Sequence, residues 1–317
     1  MNRALSHVRG LWSDNPWLAL SPLPFFLWGI TRLTAGELRW EYIVFLVVAP
    51  VLAYATKTTK RLFVALYPIA LLALTYDAMR YVKDVGLPSA DSVHLCDLRA
   101  TEARLFGFSD GTTVHDWLQV HWNPWLDRIA AVPYGTFIFV EVGFAIWLFT
   151  RSERASTRFG WAFLLMNLMG FVTYHLYPAA PPWYFHSHGC AIDLAAHASE
   201  GPNLARVDAW LGVAYFHGLY ARSNDVFGCV PSLHVAYPAL ILLEGARWMK
   251  WRGRIIAGVW SALMCFAAVY LDHHWVFDVV LGLLFATVAY SIVFFGFRYF
   301  FARRAPQRSV GTAQATT

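Results

Sequence analysis

The chain has 317 residues, 58% of them hydrophobic and 14% charged, with a formal net charge of +5. A soluble domain carries about 25% charged residues, so this composition excludes a soluble all-α protein with an ordinary polar surface. The charge calls for no nucleic-acid partner, and fifteen Trp with fifteen Tyr suit aromatic belts at a membrane interface.

Met1 to Asn15 is polar and basic. The apolar stretch after it holds Pro16, Pro22 and Pro24 with no small-residue cleavage site, so no cleavable signal peptide is expected. Residues 1–16 read as a cytoplasmic N-terminus. Apolar runs approaching the ~20 residues that cross a bilayer then predict eight spans, at 17–33, 41–56, 62–78, 132–150, 159–177, 232–248, 255–272 and 275–297. The prolines of the first make it kinked or re-entrant. The expected fold is an all-α, polytopic membrane helical bundle, with one membrane-embedded domain over 17–297 and no internal repeat. Residues 298–317 are expected as a disordered cytoplasmic tail.

Basic residues orient these spans. With the N-terminus inside, fifteen of the 25 Lys and Arg fall in five short inner segments: Arg3 and Arg9; Lys57, Lys60 and Arg61; Arg151, Arg154 and Arg158; Lys250, Arg252 and Arg254; Arg298, Arg303, Arg304 and Arg308. The outer segments hold eight, spread mostly over two long loops, 79–131 and 178–231. This bias puts both termini in the cytoplasm. Loop 79–131 mixes polar and apolar residues as short interfacial helices do. Loop 178–231, rich in Gly, Pro, His and aromatics, has the length of a lid or substrate-binding element.

Two polar clusters stand at the mouths of apolar runs. Pro231-Ser232-Leu233-His234 opens the sixth span, and His273-His274-Trp275-Val276-Phe277-Asp278 opens the eighth. Ionisable groups beside membrane spans are costly and mark function. The topology puts both clusters at the outer face, an agreement that the motifs themselves did not assume. His274 and Asp278, four apart, share one helix face. The carboxylate is expected to accept from the imidazole N–H, set its tautomer and leave the other nitrogen free to attack a phosphorus. A helix N-terminus adds N–H groups for phosphate. His234, beside Ser232, is placed to protonate a departing alkoxide and to deprotonate an incoming hydroxyl.

These residues resemble the type 2 phosphatidic acid phosphatase superfamily, with Pro231-Ser232-Leu233-His234 as its second motif and His274-x3-Asp278 in its third. The resemblance is closer to the branch containing fungal inositol phosphorylceramide synthase. It is carried by Tyr177-Pro178-Ala179-Ala180-Pro181-Pro182-Trp183-Tyr184, Phe227-Gly228-Cys229-Val230-Pro231-Ser232-Leu233-His234 and Tyr270-Leu271-Asp272-His273-His274, with a similar stretch from His94 to Gly107. It covers roughly 75–295 and implies a six-helix phosphatase-like core, His274 as nucleophile, Asp278 as its partner, His234 as acid/base, and no metal or organic cofactor.

The chain departs from the phosphatase pattern twice. Lys-x6-Arg-Pro is missing, since no Arg-Pro occurs, and the Ser-Arg pair before the third motif is Ala267-Ala268. Both departures weaken a simple phosphatase and favour the inositol-phosphotransferase branch. A cation must still offset the phosphodiester; Arg80 is nominated first, then Arg222 and Lys83. Ser232, Trp183, Tyr184 and His273 complete the expected substrate-binding set. Metal ligation by Asp272, His273, His274 and Asp278 is the lesser alternative. His175 is a candidate to face the site. His94, His115, His121, His186, His188, His197 and His217 read as solvated loop residues. Cys190 and Cys229 form a disulfide or remain thiols, and Cys265 is a small apolar residue in a span.

The expected protein is a membrane phosphotransferase that moves a phospholipid headgroup phosphate, phosphoinositol by resemblance, to a lipid hydroxyl acceptor through a phosphohistidine. Its partners are the two lipids and the bilayer. Its site faces outward, with a bacterial inner membrane preferred to an organelle membrane. The alternatives are a lipid phosphate or pyrophosphate phosphatase using the same residues, and a non-enzymatic lipid transporter or binder.

Overall fold

The computed structural model describes residues 2–37, 39–81, 89–196, 202–220 and 226–304. Lys83, His197, Arg222 and the tail beyond Arg304 lie outside the described residues. The helices in chain order are α1 Asn2–Leu11, α2 Leu23–Thr34, α3 Trp40–Ile43, α4 Ala49–Tyr54, α5 Lys57–Met79, α6 Cys96–Phe106, α7 Val114–Val120, α8 Pro124–Arg151, α9 Glu153–Leu176, α10 Pro182–His188, α11 Pro202–Leu211, α12 Tyr215–Tyr220, α13 Leu233–Gly245, α14 Trp251–Tyr270 and α15 Val276–Arg304. The described residues form no β-strand, in keeping with an all-α bundle.

Five helices are long and apolar enough to cross a membrane: α5, α8, α9, α14 and the stretch Val276–Phe300 of α15. The protein is a multi-pass membrane protein. Three other predicted spans are shorter. Segment 17–33 breaks into a 3-10 turn at Pro16–Leu20 and the 12-residue α2, where Pro22 and Pro24 remove backbone donors. Segment 41–56 is interrupted by a π turn at Val44–Val48 just ahead of Pro50. The 13 residues of α13 reach only about 20 Å. Conversely, α8 starts at Pro124, eight residues earlier than the hydropathy suggests.

Three of the long helices, α5, α8 and α9, begin on capping residues. The Thr56 hydroxyl accepts from Thr59 N–H and opens α5, Asn123 accepts from Trp125 N–H ahead of Pro124, and Ser152 accepts from Ala155 N–H. Each satisfies a donor that the first turn leaves unpaired. Because α9 is flanked by α5, α8, α13 and α15, the main core lies around it, with Phe159, Phe163, Met166, Leu240 and Ala286 buried there. Outward faces stay apolar, as at Phe139, Ile256, Ile292 and Phe295, which suits contact with lipid.

The two long loops fold over one end of this bundle. A backbone bridge pairs His94 with Ala179, and another pairs Ala179 with Gly228. A disulfide joins Cys96 to Cys190. Trp183, Tyr184, Phe227 and Trp275 bury together beneath these ties. Of the two readings of Cys190 and Cys229, the thiol holds for Cys229, which is buried, while Cys190 pairs instead with Cys96.

Where α13 starts, it meets α15 at backbone distance. Ser232 N–H donates to the Asp278 carbonyl at 3.1 Å. A Cβ at Gly282, one turn further along α15, would lie 2.3 Å from the Ser232 carbonyl oxygen. No flexible side chain stands there to yield. Gly282→Ala is therefore expected to destabilise the protein by at least the ~1–3 kcal/mol typical of overpacking, read as a lower thermal midpoint in detergent. A midpoint equal to that of the unsubstituted protein would show that the two helices are not held in this contact.

Candidate functional site

The loop between α14 and α15 is one turn long. Asp272 takes a left-handed backbone conformation with φ +66°, which Asp tolerates better than most residues. The carbonyl of Ala268 accepts from both His273 N–H and His274 N–H, at 3.2 and 3.0 Å. The two histidines thus sit on the end of α14, over the buried Ala267 and Ala268.

His234, on the first turn of α13, reaches this loop. Its Nδ1 lies 3.1 Å from His274 Nε2, so the two expected histidines share a hydrogen bond. His274 Nδ1 lies 3.0 Å from the Cys229 carbonyl. A carbonyl only accepts, so that nitrogen carries the proton and Nε2 presents its lone pair toward His234. Burial pushes the His274 pKa down to about 4, against the pull of the Cys229 carbonyl, so the ring is neutral near pH 7.

Asp278 departs from the expected pairing. Its Oδ2 stands 3.6 Å from His274 Nδ1, too far for a direct hydrogen bond. That oxygen instead accepts from Trp275 N–H at 2.9 Å and from the Cys229 thiol at 2.8 Å. In the third position of α15, the carboxylate caps its own helix, as one half of a capping box does. The backbone carbonyl therefore sets the His274 tautomer, while the Asp278 carboxyl group lies close behind the ring. Cys229 Sγ, His274 Nδ1 and Asp278 Oδ2 lie within 4.8 Å of one another, a spacing a metal ion accepts. Both the thiol and Nδ1 protons are already engaged, so an ion would have to displace them.

The remaining sequence-predicted residues fall in several places. Ser232 is fully buried and caps α13 through Val235 N–H. His273 is buried between the rings of Tyr134 and Tyr220, at 5.2 and 5.0 Å between centroids. Trp183 and Tyr184 are buried in the loop core, where Trp183 N–H donates to the Asp272 carbonyl at 2.9 Å. Arg80 is held by Asp77 and Glu37 at the end of α5. Among the described residues no Lys or Arg bonds to His234, His273, His274 or Asp278. His175 is exposed; its neighbour Tyr174 turns inward and donates to the Pro231 carbonyl at 2.9 Å.

Several contributors carried no clear sequence signal. Tyr134, in the middle of an apolar run, stacks on His234 at 4.6 Å, and Phe137 meets the same ring edge-on at 4.9 Å. Tyr134 Oη, Tyr220 Oη and His273 Nε2 are buried without a hydrogen-bond partner among the described residues. Native interiors rarely leave such groups unpaired, and here they surround one ring.

A second polar layer supports the loop. Glu102 is fully buried and accepts from the N–H groups of Val276 and Phe277, at 2.9 and 3.2 Å. It caps α15 from a helix 174 residues away in sequence. His115 lies between Glu102 and Asp272, and His186 bridges Asp272 at 2.6 Å and Asp116 at 3.1 Å. Arg99 closes the chain on Asp116 at 2.8 Å. His115 is thus buried rather than solvated as expected, and His186, though exposed, is held by two carboxylates. A Thr113-x-x-Asp116 capping box opens α7, a local pattern from which order in this loop could have been read.

The chain matches a family model described as the PAP2 superfamily over residues 97–292, a range that includes every member of both layers. It is 34% identical over 282 residues to the phosphoinositol dihydroceramide synthase of Bacteroides thetaiotaomicron, covering 84% of this chain and 90% of that protein. It is 32% identical over 169 residues to the inositol phosphorylceramide synthase of Candida albicans, covering 52% of this chain and 36% of that one. It is 29% identical over 237 residues to the inositol phosphorylceramide synthase catalytic subunit of Saccharomyces cerevisiae, covering 74% and 57%. The chain thus spans nearly all of the bacterial relative and a smaller part of the fungal ones. No solved structure matches it.

The His186–Asp272 pair has a defined pH window. Burial opposes charge on His186, but its bonds to Asp272 and Asp116 outweigh this and raise its pKa above the ordinary 6.5. Burial likewise opposes the Asp272 carboxylate, but bonds from His115 and His186 carry its pKa below 3.8. A raised His contributes fully below its unfolded pKa and is lost as pH rises through the folded value. A lowered Asp contributes fully above its unfolded pKa and is lost as pH falls through the folded value. The pair is at full strength between about pH 4 and 6.5. His186→Gln is expected to cost about 1–3 kcal/mol inside that window and progressively less on either side, read from thermal midpoints against pH. A pH-independent deficit would dismiss the ion pair.

Proposed function

The chain belongs to the PAP2 superfamily, in the branch of the inositol phosphorylceramide synthases, and from that premise we propose a phosphotransferase that moves phosphoinositol from phosphatidylinositol to the hydroxyl of a ceramide-type lipid. The observation that carries the reading is the 3.1 Å approach of His234 Nδ1 to His274 Nε2. These are the two nitrogens such a reaction needs, one bare and one protonated.

In the proposed first half, the His274 Nε2 lone pair attacks phosphorus. The N–P bond forms as the bond from phosphorus to the diacylglycerol oxygen breaks, and His234, entering this step as the imidazolium, gives its Nδ1 proton to that oxygen and is left neutral. The imidazolium character that develops on His274 is offset by Asp278 behind the ring. In the second half, the acceptor hydroxyl loses its proton to His234 and attacks phosphorus, and the N–P bond breaks. Diacylglycerol leaves in the first half and phosphoinositol ceramide in the second; no net proton is taken up. The hydrogen bond between the histidines must open for phosphorus to enter. His234 is the more exposed of the two and is the one to move.

The unpaired Tyr134 and Tyr220 hydroxyls and His273 Nε2 are proposed to bind headgroup oxygens. The N-terminus of α13 adds partial positive charge, and Arg222, two residues beyond Tyr220, is the proposed cation. The inward bias of basic residues supports an extracytoplasmic site.

The test uses purified protein with headgroup-labelled phosphatidylinositol, with and without ceramide. Label should pass to a new lipid only with acceptor present, and His274→Ala or His234→Ala should each reduce transfer by ~10²–10⁴-fold while leaving the thermal midpoint nearly unchanged. Wild-type transfer by His274→Ala would remove the phosphohistidine. Soluble label released regardless of acceptor would make the protein a hydrolase.

A further inference from the structure

We propose that the opposite end of the bundle carries a second anion site, a cleft that holds the phosphate of an acidic phospholipid headgroup. It rests on no step of the reaction above. The cleft, with a volume of about 390 Å³, lies between the first turn of α9, the end of α13 and the last turns of α15. Four arginines line it: Arg154, Arg158, Arg247 and Arg298.

Their arrangement is ordered. Arg158 is fixed by the fully buried Glu244, with Nε donating to Oε2 at 3.0 Å and Nη2 to Oε1. Trp248 Nε1 donates to the same carboxylate at 3.0 Å. Arg247 lies over the Phe294 ring at 4.4 Å, with Arg158 at 5.2 Å and Arg298 at 6.0 Å from the same centroid. Glu244 neutralises one of these charges. Arg247 and Arg298 have no carboxylate partner among the described residues. Glu153, the acid in the first turn of α9, is drawn off by Arg61.

The backbone adds to the same field. Ser152 and Ala155, at the N-terminus of the 24-residue α9, are part of the lining. A helix N-terminus and unneutralised guanidinium groups around one cleft make a phosphate site.

The level in the membrane selects a lipid rather than a soluble anion. Arg298 stands twenty residues along α15 from Asp278, about 30 Å at helical rise. That equals the thickness of a bilayer's hydrocarbon core. If one end of α15 meets one interface, the cleft meets the other. Exposed Ile292 and Phe295 on the same helix face outward beside it, where acyl chains would run. Basic pockets between spans at this depth bind acidic headgroups.

The experiment titrates full-length protein, purified in neutral detergent, with phosphatidylglycerol and counts retained lipid by native mass spectrometry. Arg247→Ala with Arg298→Ala is compared with Lys57→Ala with Arg252→Ala, which removes the same charge at that end outside the cleft. At about fivefold per arginine, the cleft pair should bind about twenty-five-fold more weakly and the control pair nearly as well as the unsubstituted protein. Lipid bound at the histidine end is common to all three and cancels. Equal weakening in both pairs would overturn the site in favour of general surface charge. In the unsubstituted protein, phosphatidylcholine retained as well as phosphatidylglycerol would also overturn it, without recourse to any variant. Full displacement of the lipid by millimolar inorganic phosphate would overturn the lipid assignment.

Discussion

The junction of α13 with α15 governs the rest of the structure. The Ser232 carbonyl sits where only a residue without Cβ allows it, against Gly282, and the Ser232 amide reaches the Asp278 carbonyl. Two helix starts are thereby locked side by side. One presents His234 and the other follows directly on His274. A hydrogen bond of 3.1 Å between two imidazoles tolerates little drift in either helix, so backbone contact is what holds the rings to that distance. Side-chain packing alone would leave more freedom, since α13 is short and carries Pro238 inside it.

The polar layer beneath the loop solves a second problem. Asp272, His273, His274 and Asp278 are all buried, and four such residues within seven positions would be costly without partners. The answer comes from the two long loops. Glu102 takes the free amides of α15, and Arg99, Asp116, His186 and Asp272 alternate base and acid from the surface inward to His115. Three of the polar atoms left unpaired, Tyr134 Oη, Tyr220 Oη and His273 Nε2, stand together on one side of the loop.

How far the sequence spoke depends on the range of the interaction. The membrane class, the long helices and the two histidine motifs were legible because each is written in a run of neighbouring residues. Agreement between basic-residue placement and motif placement added a long-range inference from short-range patterns. Glu102 was invisible, because its partners lie 174 residues off and an acid on an amphipathic helix looks like a solvated one. His186 and Tyr134 were hidden for the same reason. Spacing correctly put Asp278 on the His274 side of its helix, but it could not tell that Trp275 and Cys229 would claim the nearer oxygen. Prolines 22, 24 and 50 were visible, yet hydropathy counted through them, and so the N-terminal spans came out too long.

The Cys96–Cys190 bond, across a sequence separation of 94, closes the chain into a ring that contains α6 to α10. It also fastens the segment bearing Glu102 to the segment bearing His186. A protease that nicked the ring, at an exposed turn such as Ser109 to Gly111, would leave a molecule of unchanged mass except for one added water. The nicked species would run as two pieces only after a thiol reductant was added. Made in a reducing compartment, the same nick would part the two polypeptides at once on denaturation, so the migration of a clipped sample reports the redox history of the membrane it came from.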